Sequence, residues 1–468
     1  MAQGYGNFAF LYDIDRDFYK DLIKMERNAR IDVSSVGNPL RKALERFVGL
    51  VISTYNLESY FSGYTLLAEK IERLGEAQTL QYAKLMNRDK TFPQNELLPF
   101  YSQTVSYAAF NRNGEERTFT DPIYTFLRKF GNAFSHEGDQ TSEPKKNYKN
   151  LLRSLSLLHK ILVAFYGLQN VPKFDEYKMP IGEYIVDSYS EPEDKNSKCA
   201  TEFRAHSIDR DGNPEFYALL RLYRRSNLDA NFMLRNRECF VVAAKESEAG
   251  VPEGMTRMRE LTPRDSTNEF YIIAYIFNQE PQPLSNGLLA QMELPQRLEL
   301  CKRLARSLAT LHDAENPIYH RLLSYDSIYV CRRKDSWRPY IVKFDYAKID
   351  MQSRSSIVTV RAQATAATQA QMELAIQARY IPREWPEKED EDPNVDWGKV
   401  DVYSLGVLML DILHGEFTVY APGALFNALR RLRLPMQLQA LLAAMCEEIP
   451  GKRCTMQEVW KQLEKISL

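Results

Sequence analysis

The chain has 468 residues, 44% hydrophobic and 26% charged, with a formal net charge of -1 at pH 7. That length predicts two to three domains, each able to bury a core, and the charge balance excludes a globally basic nucleic-acid binder, leaving only a local basic face open. No apolar stretch is long enough to cross a bilayer and no apolar leader follows the polar start, so a cytoplasmic chain without membrane contact is expected.

Residues 11–167 read as helical, without strand alternation, and predict an all-α bundle over residues 1–170. Phe18, Leu22 and Met25 recur at helical spacing, as do Leu44, Phe47, Val48 and Val51. Further helices are expected over 64–74 and 77–85, and Pro93 and Pro99 bracket a loop. Asp121 suits an N-cap with Pro122 at the first helical position, and 148–166 carries the apolar stripe of a last helix.

Pro172 and Pro180 mark a linker over 171–182. Beyond it the apolar period shortens, predicting strands over 183–188, 201–208, 216–223 and 271–277. The loop 189–198 between the first two strands holds no glycine and three acids. An amphipathic helix is expected over 294–312, and a hairpin with strands at 328–331 and 340–342. The 351–377 segment is rich in Thr, Ala and Gln, and 387–392 is an acidic run. Both are candidate partner sites. Cys199, Cys239, Cys301, Cys331, Cys446 and Cys454 are scattered without a Cys-x-x-Cys pair and read as buried thiols, with no metal site expected. The fold class expected is α+β.

Residues 319–330 read Tyr-His-Arg-Leu-Leu-Ser-Tyr-Asp-Ser-Ile-Tyr-Val, and 343–348 read Lys-Phe-Asp-Tyr-Ala-Lys. In order and spacing they resemble the protein-kinase catalytic loop and the metal-binding Asp-Phe-Gly that follows it. His320 and Arg321 match, but Leu322 stands at the position of the catalytic Asp and Ser327 at that of the metal-binding Asn. Asp345 matches the metal-binding Asp. Arg221 stands where the strand lysine belongs, with Glu238 as its acidic partner. Glu384, Asp401 and Arg453 match positions that maintain the large lobe: a Glu384–Arg453 buried pair and an Asp401 bond to the loop backbone are expected. The resemblance implies a small lobe over 183–280 and a large lobe over 281–468. ATP and magnesium would be held weakly, if at all, by Arg221, Glu238 and Asp345, with Asp345 the candidate metal ligand. Loss of the glycine loop, the base and the second metal ligand together implies a pseudokinase.

The segment 128–138, Arg-Lys-Phe-Gly-Asn-Ala-Phe-Ser-His-Glu-Gly, resembles the Gly-Asn-x-x-x-His segment of HEPN-like domains, including the N-terminal domain of some type I restriction subunits. Arg128, Asn132 and His136 would be the residues of a HEPN-type RNase, which needs two such sites facing each other in a dimer. The plainer reading is that Asn132 and His136 hold the helix end and the following loop through hydrogen bonds, in a bundle that docks or joins a homodimer. The Tyr-His-Arg-Leu-Leu-Ser form is similar to kinase-like proteins of bacterial Pgl/BREX-type phage defence. It implies a scaffold, sensor or regulator with protein partners, nucleic acid being left open. The alternatives are an atypical active Ser/Thr kinase with Asp326 as base, and the RNase.

Overall fold

The computed structural model describes residues 4–74, 103–110, 113–134, 143–190, 200–228, 254–262, 268–314, 317–334, 336–344, 347–349, 379–384, 395–417 and 434–467. Outside them lie the helix expected over 77–85, Pro93 and Pro99, His136, most of the 189–198 loop, Cys199, Glu238, Cys239, Asp345, and the 351–377 and 387–392 segments. The fold is α+β. Its residues gather into two units, Met1–Asn227 with Glu260–Ala274 and Leu228–Arg259 with Tyr275–Leu468.

In the first unit, α1 (Arg16–Asn28) starts where the Asp15 carboxylate accepts the Phe18 N–H, and it buries Phe18, Leu22 and Met25. Helix α2 (Gly37–Thr54) turns Leu44, Phe47, Val48 and Val51 inward, and α3 covers Leu67–Leu74. The remaining helices of the unit are α4 (Ile123–Ala133) and α5 (Tyr148–Phe165). Close approach near the start of α2 requires a glycine: a Cβ on Gly37 would fall 2.2 Å from the Phe134 ring.

This part of the chain is not all-α. Strand β1 (Thr104–Phe110) pairs antiparallel with β2 (Glu116–Pro122), Thr104 opposite Pro122 and Phe110 opposite Glu116. Alternation is present but muted, because the buried face is Val105, Tyr107 and Ala109 between polar or small neighbours. The chain reverses through a loop containing Asn113 and Gly114, the latter at φ +77°. Asp121 is therefore a strand residue rather than the helix cap. Its carboxylate accepts a hydrogen bond from the Tyr107 hydroxyl and meets Lys129 Nζ at 2.8 Å, while α4 begins after Pro122 with no side-chain cap.

A five-stranded sheet follows, in the order β3 (Ile185–Ser190), β4 (Thr201–Ile208), β5 (Pro214–Arg224), β7 (Phe270–Phe277), β6 (Arg257–Glu260). Within the first unit, helices and sheet share polar anchors. The buried Arg30 donates to the carbonyls of Glu176 (2.6 Å) and Met179 (3.4 Å), and its guanidinium lies 5.2 Å from the Phe203 ring centroid. The Asn268 side chain donates to the Arg30 carbonyl and accepts the Val33 N–H. Asn7 exchanges two hydrogen bonds with the Asp175 backbone, so the stretch read as a linker is bonded into this unit.

The second unit centres on α7 (Leu294–His312) and α8 (Trp397–His414), joined by α9 (Met436–Met445) and α10 (Met456–Leu463). The short α6 (Asn286–Leu289) precedes α7. Strands β10 (Ile328–Arg333) and β11 (Ser336–Ile341) form a hairpin that β8 (Pro281–Pro283) extends, and β9 (Ile318–Tyr319) pairs with β12 (Lys348–Ile349). Helix α8 is buried on nearly every face, as its continuous apolar run requires. It ends at Gly415, whose φ of +89° suits only glycine well. Cys301, Cys331 and Cys446 are buried and Cys454 is half-buried; burial pushes the Cys331 and Cys446 thiols up to about 12. No described helix is long and apolar enough to cross a membrane.

The Glu26 carboxyl is fully buried and accepts hydrogen bonds from the Asn7 backbone and amide, at 3.2 and 2.7 Å. Those bonds favour the ion, but burial outweighs them and raises its pKa from 4.5 to about 8. A pKa raised on folding contributes stability that is full below 4.5 and lost as pH climbs through 8. Denaturant titrations should show wild type losing stability relative to Glu26→Gln between pH 5 and pH 8; a pH-independent difference would refute the neutral carboxyl.

Candidate functional site

The loop after β9 is organised by Asp401, one turn into α8 and fully buried. Its Oδ1 accepts the Arg321 N–H at 2.7 Å and its Oδ2 accepts the His320 N–H at 2.8 Å. His312 Nε2, from the end of α7, approaches Oδ2 at 3.0 Å. A buried carboxylate with three such neighbours is satisfied, and it fixes the path of the loop. Arg321 needs that hold, because its φ of +69° is left-handed and costs a non-glycine residue about 1–3 kcal/mol.

Side chains complete the arrangement. The Arg321 guanidinium lies 4.1 Å from the Trp397 ring centroid. The His320 ring donates from Nε2 to the Val342 carbonyl at 2.9 Å and packs edge-on to Phe344. Leu322 joins an apolar cluster of Trp397 and Val400 with Tyr319, Ile381 and Val395. Ser327 is buried, accepting the Ser324 N–H and donating to the Ser324 carbonyl at 2.8 Å. Asp326 accepts from the Ser324 hydroxyl and pairs with Lys343 Nζ at 3.3 Å. His320 Nε2, Ser327 and Asp326 are thus engaged by the loop's own framework, and Leu322 offers no proton acceptor.

Glu384 and Arg453 are brought together by a two-pronged pair, Arg453 Nη1 to Oε1 and Nη2 to Oε2. Arg453 is buried while Glu384 keeps partial exposure. The guanidinium also donates to the carbonyls of Lys399, Glu447 and Glu448, and it lies 4.9 Å from the Tyr403 ring centroid. Arg221 sits in β5, where its Nη1 meets Glu202 of β4 at 2.9 Å and its Nε meets the Tyr223 hydroxyl at 2.8 Å. Arg128 and Asn132 stand one turn apart on α4, half-buried. A Cβ on the intervening Gly131 would already touch Arg41 of α2 at 3.4 Å. His136, Glu238 and Asp345 lie outside the described residues.

Sequence reading missed one cluster. Asp411 of α8 accepts from the Tyr380 hydroxyl at 2.6 Å and from Arg379 Nη2 at 2.9 Å, while the Ser404 hydroxyl donates to the Tyr380 carbonyl. Burial raises the Asp411 carboxyl and the Tyr380 phenol alike. The signal was present: an acid inside the otherwise apolar run from Leu405 to Leu413 demands a buried partner. Among the described residues no cluster of His, Cys, Asp and Glu is arranged to hold a metal ion. No protein-family model matches this chain, and no curated protein matches it.

Asp401→Asn keeps the shape but turns an NH2 group toward a backbone N–H donor, and should cost about 3 kcal/mol of stability, read from the denaturant midpoint. Leu322→Asp places a carboxyl in the Trp397 cluster and should cost about 2 kcal/mol on the same measurement. A near-neutral result for either variant would mean that the loop is not held in this way.

Proposed function

We propose that the chain is a catalytically inactive, protein-kinase-like protein that acts as a scaffold, sensor or regulator, with a HEPN-like helical part at its N-terminus. The carrying observation is the placement of Leu322, the residue at the position the kinase resemblance assigns to the proton-accepting Asp, inside the Trp397 cluster. Proton transfer from a substrate hydroxyl needs a carboxylate or imidazole within hydrogen-bond reach. His320 is buried on a carbonyl, and Asp326 is tied to Lys343 and Ser324, which also counts against an atypical active kinase using Asp326 as base. Ser327 spends its hydroxyl on the Ser324 backbone, which supports loss of the second metal-binding position. In contrast, the anchors Asp401 and Glu384–Arg453 are complete, which favours a retained architecture over retained turnover.

The setting follows from the resemblance alone: a complex of bacterial anti-phage defence, reached through protein partners. The RNase reading gains no support from Gly131, which stands where an active HEPN segment usually carries an arginine and where a Cβ would already be in contact with Arg41 of α2.

Thermal unfolding with millimolar ATP, with and without magnesium, tests the proposal. No saturable stabilisation and no phosphate transfer from labelled ATP is the expected outcome. A magnesium-dependent shift that disappears in Asp345→Ala would revive a nucleotide-regulated switch, and phosphate transfer from labelled ATP would overturn the inactive reading.

A further inference from the structure

A cavity of about 220 Å³ opens in the second unit where three segments meet: the turn Gly254–Arg257, the exit of β7 at Ile276–Asn278, and Arg338–Tyr340 of β11. The turn is stitched to the hairpin, Gly254 accepting the Ile341 N–H at 3.0 Å. Gly254 itself, at φ +94°, rests on α7 so closely that a Cβ would lie 1.9 Å from the Ser307 hydroxyl. Phe277 and Tyr340, in edge-to-face contact at 5.5 Å, supply an aromatic wall.

The polar lining is unusual. Thr256 is 4% exposed, and its buried Oγ1 has no hydrogen-bond partner. The Arg338 Nε is likewise buried and without a partner. Among the described residues neither Arg338 nor Arg257 forms an ion pair, and no carboxylate is among those that line the cavity. Buried donors left unsatisfied in a folded protein point to a water or ion that completes them. Two guanidinium forks, a hydroxyl and the Asn278 amide are more donors than the two oxygens of a carboxylate take up, and they match the three terminal oxygens and double charge of a phosphoryl group. The volume lies below the range of cavities for drug-sized ligands, which fits a small ligand.

We propose that this cavity is a binding site for a small phosphate-bearing ligand, gripped by Arg257, Arg338 and Thr256. The ligand ties the Gly254–Arg257 turn to the end of β7 and to the hairpin, so its binding stabilises the second unit. This site is separate from the Asp401 loop and does not depend on the kinase-like reading.

The test is calorimetry and thermal unfolding of the full chain with inorganic phosphate and with glycerol 3-phosphate, against sodium chloride at equal ionic strength. A saturable rise in Tm with the phosphates alone is expected, and Arg257→Gln and Arg338→Gln should each weaken binding about tenfold or more. Thr256→Val should raise the Tm of the ligand-free chain, by removing an unsatisfied hydroxyl, while weakening the phosphate response. Tighter binding of glycerol 3-phosphate assigns the site to a phosphate monoester, and tighter binding of inorganic phosphate assigns it to the free ion. Absence of a saturable response, or an equal response in wild type and both arginine variants, overturns the proposal.

Discussion

The carboxylate of Asp401 is the fixed point of the second unit's candidate site. It is sealed from water, and its two oxygens are spent on two consecutive backbone N–H groups and a histidine ring. An ion in that position is tolerable only because its neighbours solvate it as water would. In return it holds Arg321 in a left-handed conformation that the residue would not choose, and that twist sends Leu322 into the Trp397 cluster and the Arg321 guanidinium over the Trp397 ring. The residues after it close on themselves through Ser324 and Ser327. Loop geometry and loop chemistry are therefore separable. The geometry is enforced by Asp401 of α8, whatever side chain stands at position 322.

The first unit uses a similar economy with different groups. Arg30, Asn268 and Asn7 are polar residues whose sequence distance from their partners is large, and each bonds to distant backbone groups, Asn7 also to the Glu26 carboxyl. Such contacts leave the carbonyls of Asp175, Glu176 and Met179 paired where the chain passes from helices to sheet. Glu26 adds a buried carboxyl that burial keeps neutral against the pull of two amide donors.

What was legible in the sequence was set by the strength of local patterning. The helix Leu294–His312 and the strand Thr201–Ile208 have clean periods, and they sit where those periods place them. The hairpin Thr104–Phe110 with Glu116–Pro122 escaped, because Ser, Thr and Ala blur its alternation and only Val105 and Tyr107 are large on the buried face. Asp121 followed from the same error: before Pro122 it has the composition of a cap, and only the strand pairing reveals its bond to Lys129. At the site, Asp401, Glu384 and Arg453 were readable through motif spacing. Asp411 carried no motif and required the rule that a charge in an apolar helix has a buried partner. Arg221 has a described partner that no motif pointed to, Glu202 directly opposite it on the neighbouring strand, while Glu238 lies outside the described residues.

Leu322 also bears on whether such a loop is one substitution away from activity. A leucine that merely pointed to solvent would be a vacancy that an aspartate fills at little cost. Here the side chain packs with Tyr319, Ile381 and Val395 on the Trp397–Val400 pair. A carboxylate at that point must either be buried among apolar groups or leave the cluster, and both alternatives disturb the contact between the loop and the start of α8. Asp326 is no substitute, because freeing it means breaking the bonds to Lys343 and Ser324 that shape the turn. The loop is part of the core rather than a segment resting upon it, and placing a carboxylate at position 322 would require the cluster and the turn to change together.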